Sequence, residues 1–161
     1  MPAPPPEEGC REAVPADLAR LAELAELAVE ELRHGRGGPV WARHGARQAP
    51  VAPGLARQLE DPAHHVVVGT LDGAVQAYGV ARLEVVHDGG RLGVVTDLYT
   101  EPAFRQLGLG ERMMQALIEW CTAQGCFGID SLALPGDRHT KNFFESFGLV
   151  ARAIVVHRAL P

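Results

Sequence analysis

Val94-Val95-Thr96-Asp97-Leu98-Tyr99-Thr100-Glu101-Pro102-Ala103-Phe104-Arg105-Gln106-Leu107-Gly108-Leu109-Gly110 is the stretch on which the reading of this chain turns. Its first residues are rich in β-branched and aromatic side chains, the composition of a strand. Its last residues form a glycine-bearing turn, and Gly110 to Gln124 then carries Met113, Met114, Leu117, Ile118 and Cys121 at helical spacing, with Gly125 as C-cap. A strand thus passes through a short turn directly into a helix. The first N–H groups of a helix have no partner within it and lie at the positive end of its dipole, so such a turn favours a bound phosphate. Gly108 and Gly110 lack Cβ and let an anion approach the main chain, and Arg105 supplies a charge-assisted donor at the edge.

Two glycines can also do no more than shape a connection, so the surroundings decide. No Gly-Lys-Ser/Thr ends the turn, which excludes a nucleoside-triphosphate loop. Upstream, His65 to Leu71, Ala74 to Val86 and Leu92 to Tyr99 read as strands separated by Asp72-Gly73 and Asp88-Gly89-Gly90. Tight Asp-Gly turns between β-branched runs predict antiparallel hairpins, so the turn follows a meander rather than opening a βαβ unit, and a dinucleotide fold is disfavoured.

Further out, Asp17 to His34 places Leu18, Leu21, Leu24, Leu27, Ala28 and Leu32 on one helical face, with Pro15 before it and Gly35 after. Gly35 to Pro53 turns to Gly, Arg and Pro around Trp41 and reads as a loop lining a substrate site. A short helix is predicted over Leu55 to Glu60, a strand over Gly128 to Leu134, a helix over His139 to Phe147, and a last strand within Leu149 to Leu160. Residues 1–14 are acidic and Pro-rich with little apolar surface to offset ordering, so they read as a mobile tail before a single domain over 15–161.

Composition narrows the function. At 161 residues, 47% hydrophobic and 22% charged, the chain can bury an ordinary core without disulfides or metal. A formal charge of −5 and the lack of any Lys/Arg run argue against nucleic acid as a partner. Cys10, Cys121 and Cys126 have no CxxC spacing, so no zinc site is indicated and a reducing, cytoplasmic setting is expected. No apolar run is long enough to span a membrane.

Arg105-Gln106-Leu107-Gly108-Leu109-Gly110 resembles the Arg/Gln-x-x-Gly-x-Gly/Ala signature of the GNAT superfamily of acetyl-CoA-dependent N-acetyltransferases, and Phe143 to Leu149 looks like that family's closing helix and exit. The resemblance runs from about Asp17 to Leu160. It implies an α+β fold whose mixed, mostly antiparallel central sheet, flanked by helices, is splayed between the fourth and fifth strands. It also implies acetyl-CoA as co-substrate, with Leu98, Tyr99 and Thr100 bonding the pantetheine arm and Arg105, Gln106, Leu107, Gly108, Leu109 and Gly110 cradling the diphosphate. A backbone N–H near Leu98 would polarise the thioester carbonyl. The implied acceptor is an amine of a small molecule or protein, and the family admits a homodimer.

Some positions depart from the family pattern. Strict alternation puts Val94 and Thr96 on the cleft face, where many members carry a carboxylate or His, and neither can take a proton at neutral pH. Asp97 would face away unless a β-bulge re-aims it. Asp97 and Glu84 are the catalytic candidates, with His87 and Glu101 behind them. Phe144 stands where the family often has the Tyr that reprotonates the thiolate, and Asp137 where it often has an Asn near the pantetheine. No metal ligand set is indicated. Acceptor specificity is expected in Gly35 to Pro53 and in the turn His87 to Arg91. Thr96 and Phe144 motivate a second expectation, a coenzyme A sensor without turnover.

Overall fold

Val66, Val68 and Val80 point to one side of their strands while Val67, Ala77 and Ala81 point to the other, so the alternation of the meander demands a layer on each face. The computed structural model describes all 161 residues and places those layers. The strands are β1 (Glu8–Glu12), β2 (His64–Leu71), β3 (Ala74–Val85), β4 (Arg91–Thr100) and β5 (Gly128–Ser131). They form one sheet in chain order, antiparallel from β1 to β4 and parallel between β4 and β5. The helices are α1 (Leu18–Arg33), α2 (Gly38–His44), α3 (Ala52–Glu60), α4 (Leu109–Ala123) and α5 (Arg138–Ser146). The mixed α+β architecture is the expected one.

On one face, Leu21, Leu24, Ala25 and Ala28 of α1 and Leu55 of α3 pack on Val66, Val68, Tyr78, Val80 and Tyr99. On the other, Leu109, Met113, Met114, Leu117 and Cys121 of α4 and Phe144 of α5 pack on Val67, Ala77, Ala81 and Val95. The sheet under α4 is paved with small residues. A Cβ at Gly93 would stand 2.5 Å from the Cys121 sulfur, and one at Gly79 would stand 3.3 Å from Leu117, so α4 lies closer than a Val-lined surface would allow.

Residues 1–14 are not a free tail. Glu8 to Glu12 pairs with Leu71 to Val67, Ala13 donates to the Val66 carbonyl at 2.9 Å, and Arg11 grips Asp17 at the start of α1 at 2.7 and 3.0 Å. Main-chain pairing at a sheet edge does not depend on apolar side chains, which is why composition concealed β1. Gly35 to Pro53 is likewise not all loop, because α2 occupies Gly38–His44. Leu27, expected in the core, is 40% exposed at the margin of the α1 face.

The largest difference is at the C-terminus. Leu149 to Leu160, expected to hold a strand, joins no sheet, and no main-chain hydrogen bond involves any residue after Leu149. A β-branched sequence sets the preference for extended chain, but a strand also needs an edge to pair with.

Candidate functional site

β4 pairs with β5 only from Leu92 to Val95, opposite Gly128 to Ser131, while its pairing with β3 continues to Thr100. Beyond Val95, where the Ser131 hydroxyl donates to the Val95 carbonyl at 3.3 Å, the two strands part. The Glu101 N–H bonds the Gln76 carbonyl on the β3 side at 3.0 Å. Alternation then turns the Tyr99 amide toward β3 and those of Leu98 and Thr100 into the gap left by β5. The Thr100 carbonyl there accepts from Arg105 Nε at 2.9 Å, and Leu98 keeps an open N–H and carbonyl. The expected splay between the fourth and fifth strands is this gap.

The glycine turn opens at the same end of β4. Gln106 has φ 68° and Gly108, the N-cap of α4, has φ 82°, both left-handed. None of the N–H groups from Gln106 to Glu111 donates to a main-chain carbonyl. Two left-handed residues within a tight turn rotate successive amides toward one side, and the dipole of α4 adds positive potential there. Leu109 sends its side chain into the α4 core while its amide stays free, and Gly110 lies under the Phe143 ring, 3.5 Å from where a Cβ would be. The missing side chain of Gly110 thus serves helix packing. A carboxylate also stands nearby: Glu8 Oε2 is 3.3 Å from the Cβ position of Gly108 and 3.5 Å from Arg112 Nε.

Arg105 does not point into the turn. Its Nη1 and Nη2 pair with both Glu31 oxygens at 2.9 and 2.7 Å, and its guanidinium lies 5.4 Å from the Tyr99 ring centroid. The Arg105 guanidinium holds the Glu31 carboxyl below the usual range, and burial beside Glu31 raises the Tyr99 phenol. Arg105 therefore fastens the turn to α1. Gly37, at the far end of α1, would meet Pro135 at 3.3 Å if it carried a Cβ, so the α1–α2 turn reaches the β5–α5 loop across the gap.

The bulge anticipated as a condition for Asp97 is present. Val80 pairs with Asp97 and Ala81 with Val95, leaving Thr96 as the extra residue. Val94 and Thr96 therefore do not share a face in the way strict alternation requires. Asp97 lies on the side of Tyr78 and Val80. Its Oδ2 accepts from Arg47 Nε at 2.6 Å and from the Tyr78 hydroxyl at 2.7 Å, and its Oδ1 from Arg47 Nη2 at 2.8 Å and the Thr96 hydroxyl at 2.7 Å. Arg47 also bonds Gln58 Oε1 at 2.7 Å. Burial alone would lower the Arg47 pKa, yet the bonds to Asp97 leave it raised, while burial and the Asp97 charge push the Tyr78 phenol far up. Nothing local in the sequence singles out Arg47, Tyr78 or Gln58. An arginine in a loop carries no local sign of a partner 50 residues away.

The other candidates are scattered. Glu84 is half exposed beside Arg82 at 3.0 Å, four residues along β3 from Val80, which is about 13 Å from the bulge at the rise of a strand. The turn His87 to Arg91 closes the hairpin at the opposite end of β4 from Gly108. Glu101 is taken by Arg20 of α1. Asp137 caps α5, accepting from the Thr140 amide at 3.1 Å and hydroxyl at 2.7 Å. Phe144 is buried in the α4 core.

The model of the acetyltransferase (GNAT) family matches residues 21–149. No curated protein matches the sequence significantly. Among solved structures, an aminoglycoside N-acetyltransferase AAC(6')-Iy in complex with CoA superposes with a TM-score of 0.73 at 16% identity, over 99% of this chain and 99% of that one. Glucosamine-6-phosphate N-acetyltransferase from Arabidopsis thaliana gives 0.67 at 17% identity, over 96% and 99%. An aminoglycoside acetyltransferase meta-AAC0020 from an uncultured soil metagenomic sample gives 0.71 at 18%, over 96% and 95%. At such identities the superpositions speak for the fold alone. With the splayed sheet, the glycine turn and a family match across most of its length, the chain belongs to the GNAT acetyltransferase family.

Proposed function

We propose that the chain is an N-acetyltransferase that moves an acetyl group from acetyl-CoA directly to a primary amine of a small molecule or protein. The observation that carries this reading is the run of unpaired amides from Gln106 to Glu111 beside the gap where β4 loses β5. A diphosphate fits the first, and an extended arm with amide groups fits the second. Leu98 offers that arm its open carbonyl or N–H, and the N–H can equally polarise an acyl oxygen held in the gap. Acetyl-CoA supplies the activated acyl carbon when bound.

An ammonium ion has no lone pair, so the acceptor must lose a proton before it attacks. In this reading water takes that proton. Asp97, with four donors on its two oxygens, acts as a positioning residue that fixes β4 next to Leu98, and Glu84 stays outside the chemistry. Phe144 carries no acid, and the thiolate leaves unassisted, tolerable for a thiol whose pKa is about 8.5. The loop Gly45 to Pro50, pinned by Arg47 to β4 and α3, forms the acceptor side. Amino sugars head the acceptors to test, because solved relatives include aminoglycoside and glucosamine-6-phosphate acetyltransferases.

The experiment is thiol release from acetyl-CoA with a panel of amino sugars, polyamines and peptide amines, run beside coenzyme A-induced thermal stabilisation. Release that depends on one class of amine supports the transferase. Stabilisation with no release for any amine favours the sensor. Absence of both removes the coenzyme A reading altogether.

A further inference from the structure

Cys121 and Cys126 are both free thiols, and the way α4 ends sets them side by side. The Cys126 N–H bonds the Cys121 carbonyl at 3.1 Å, the Gly125 N–H bonds the Thr122 carbonyl at 3.0 Å, and Gly125 has φ 74°. That pair of bonds around a left-handed glycine is the Schellman ending of a helix, in which the side chains five residues apart touch across the turn. Apolar side chains serve that contact in ordinary helices. Two thiols there add a chemistry that packing does not need.

The surroundings hold both sulfurs in place and leave a way in. Cys121 is buried with its sulfur against Gly93 of β4, where a Cβ would stand 2.5 Å away, while Cys126 is only half-buried. The connection between them and β5 is tied to β4 on both sides of Cys126: Arg91 Nη1 donates to the Gln124 carbonyl at 3.0 Å, and the Phe127 N–H donates to the Arg91 carbonyl at 2.9 Å. A cavity of about 230 Å³ is lined by both cysteines together with Ile118, Thr122 and Phe127, among others. Cys10 has no part in this, since it lines a different cavity beside Arg112, nine residues or about 13 Å back along α4 from Cys121.

We propose that Cys121 and Cys126 form a peroxide-reactive dithiol site that closes reversibly to a disulfide between the end of α4 and the approach to β5. The oxidant is a hydroperoxide small enough for the cavity, with hydrogen peroxide as the simplest. Cys126, the more accessible sulfur, attacks one peroxide oxygen as the thiolate; the O–O bond breaks, Cys126 becomes a sulfenic acid, and the other oxygen leaves as water. Burial, and then the neighbouring Cys126, push the Cys121 thiol up to about 11, which keeps it protonated and unreactive until the sulfenic acid forms beside it. The Cys121 sulfur then attacks that of Cys126, the S–S bond forms as the S–O bond breaks, and the Cys121 proton goes to the departing hydroxide. Two thiols have lost two hydrogens and two electrons, and one peroxide has become two waters. Capture by a neighbouring thiol stops Cys126 short of the sulfinic acid, which thiols cannot reduce. This inference is independent of the acetyl-transfer reading.

The test uses the full chain treated with hydrogen peroxide, unfolded, alkylated and cleaved after arginine. The peptide Met113 to Arg138 holds Cys121 and Cys126 and no other cysteine. It should take up no alkylating reagent after peroxide, and two equivalents when dithiothreitol precedes alkylation. Two equivalents without dithiothreitol, none after it, or a disulfide to Cys10 or to another chain would each overturn the proposal. In Cys121→Ser, prolonged peroxide should carry Cys126 to an acid that dithiothreitol does not restore, and in Cys126→Ser the buried Cys121 should be spared. Loss of Cys121 in the second variant as fast as in the wild type would refute Cys126 as the attacking thiol. The wild-type peptide decides even if neither variant folds.

Discussion

Arg47, in the loop after α2, meets Asp97, beside the bulge of β4, through two hydrogen bonds of 2.6 and 2.8 Å, with both side chains largely buried. The pair joins the loop after α2 to the strand that borders the gap. Desolvating two charges offsets most of their attraction, but removing one partner leaves the other buried and alone, which costs about 3–5 kcal/mol. Arg47→Ala and Asp97→Asn should each lower the urea midpoint strongly, and Arg47→Met with Asp97→Leu should recover much of the loss. A single substitution that left the midpoint unchanged would show that the pair opens in solution.

Gly108 has φ 82°, a conformation that costs a residue with a Cβ about 1–2 kcal/mol. Gly108→Ala should lower the melting temperature by about 2–8 °C. Gly108→Asp adds a charge where the free amides converge and should also abolish detectable coenzyme A binding by calorimetry. Equal affinity in the aspartate variant would place the diphosphate elsewhere.

Glu8 brings a negative charge to the same turn, next to Gly108 and Arg112. Glu8→Gln should tighten coenzyme A binding by about two- to five-fold, the range of one charge acting on a helix end. The gain should shrink as salt is raised, because screening weakens partly exposed charges. Calorimetric titrations at low and high salt measure both effects.

His65 stacks on Trp120 with ring centroids 5.2 Å apart and planes 7° from parallel. Burial lowers its pKa, partly opposed by the charge of Glu12. The unfolded chain, titrating near 6.5, therefore takes up the proton before the native state does. Stability from the neutral ring is present above that value and is lost as pH falls below it. His65→Phe keeps the stacking and should flatten the decline in urea midpoint between about pH 7 and 5. Parallel slopes for the two proteins would show that His65 is not responsible.

The meander, α1, α4 and the turn at Gly108 were legible because each rests on a local pattern: alternation between Asp-Gly turns, apolar residues at helical spacing, and glycine between a strand and a helix. β1 was not legible, since Glu8 to Glu12 is held by main-chain bonds to β2 and by Arg11 on Asp17 rather than by its own hydrophobicity. The site divided in the same way. The free amides of the turn followed from sequence order, but the role of Arg105 did not, because Glu31 lies 74 residues away.

By itself the sequence determined the hairpin meander, α1, α4 and α5, and that a glycine turn joins β4 to a helix, because backbone preference and hydrophobic period act over a few neighbours. Only the tertiary structure decided that Thr96 is bulged, that Asp97 is gripped by Arg47, Tyr78 and Thr96, and that the β-branched C-terminus finds no edge within its own fold. Those facts depend on which distant groups meet at hydrogen-bond range, and no local pattern encodes such a meeting.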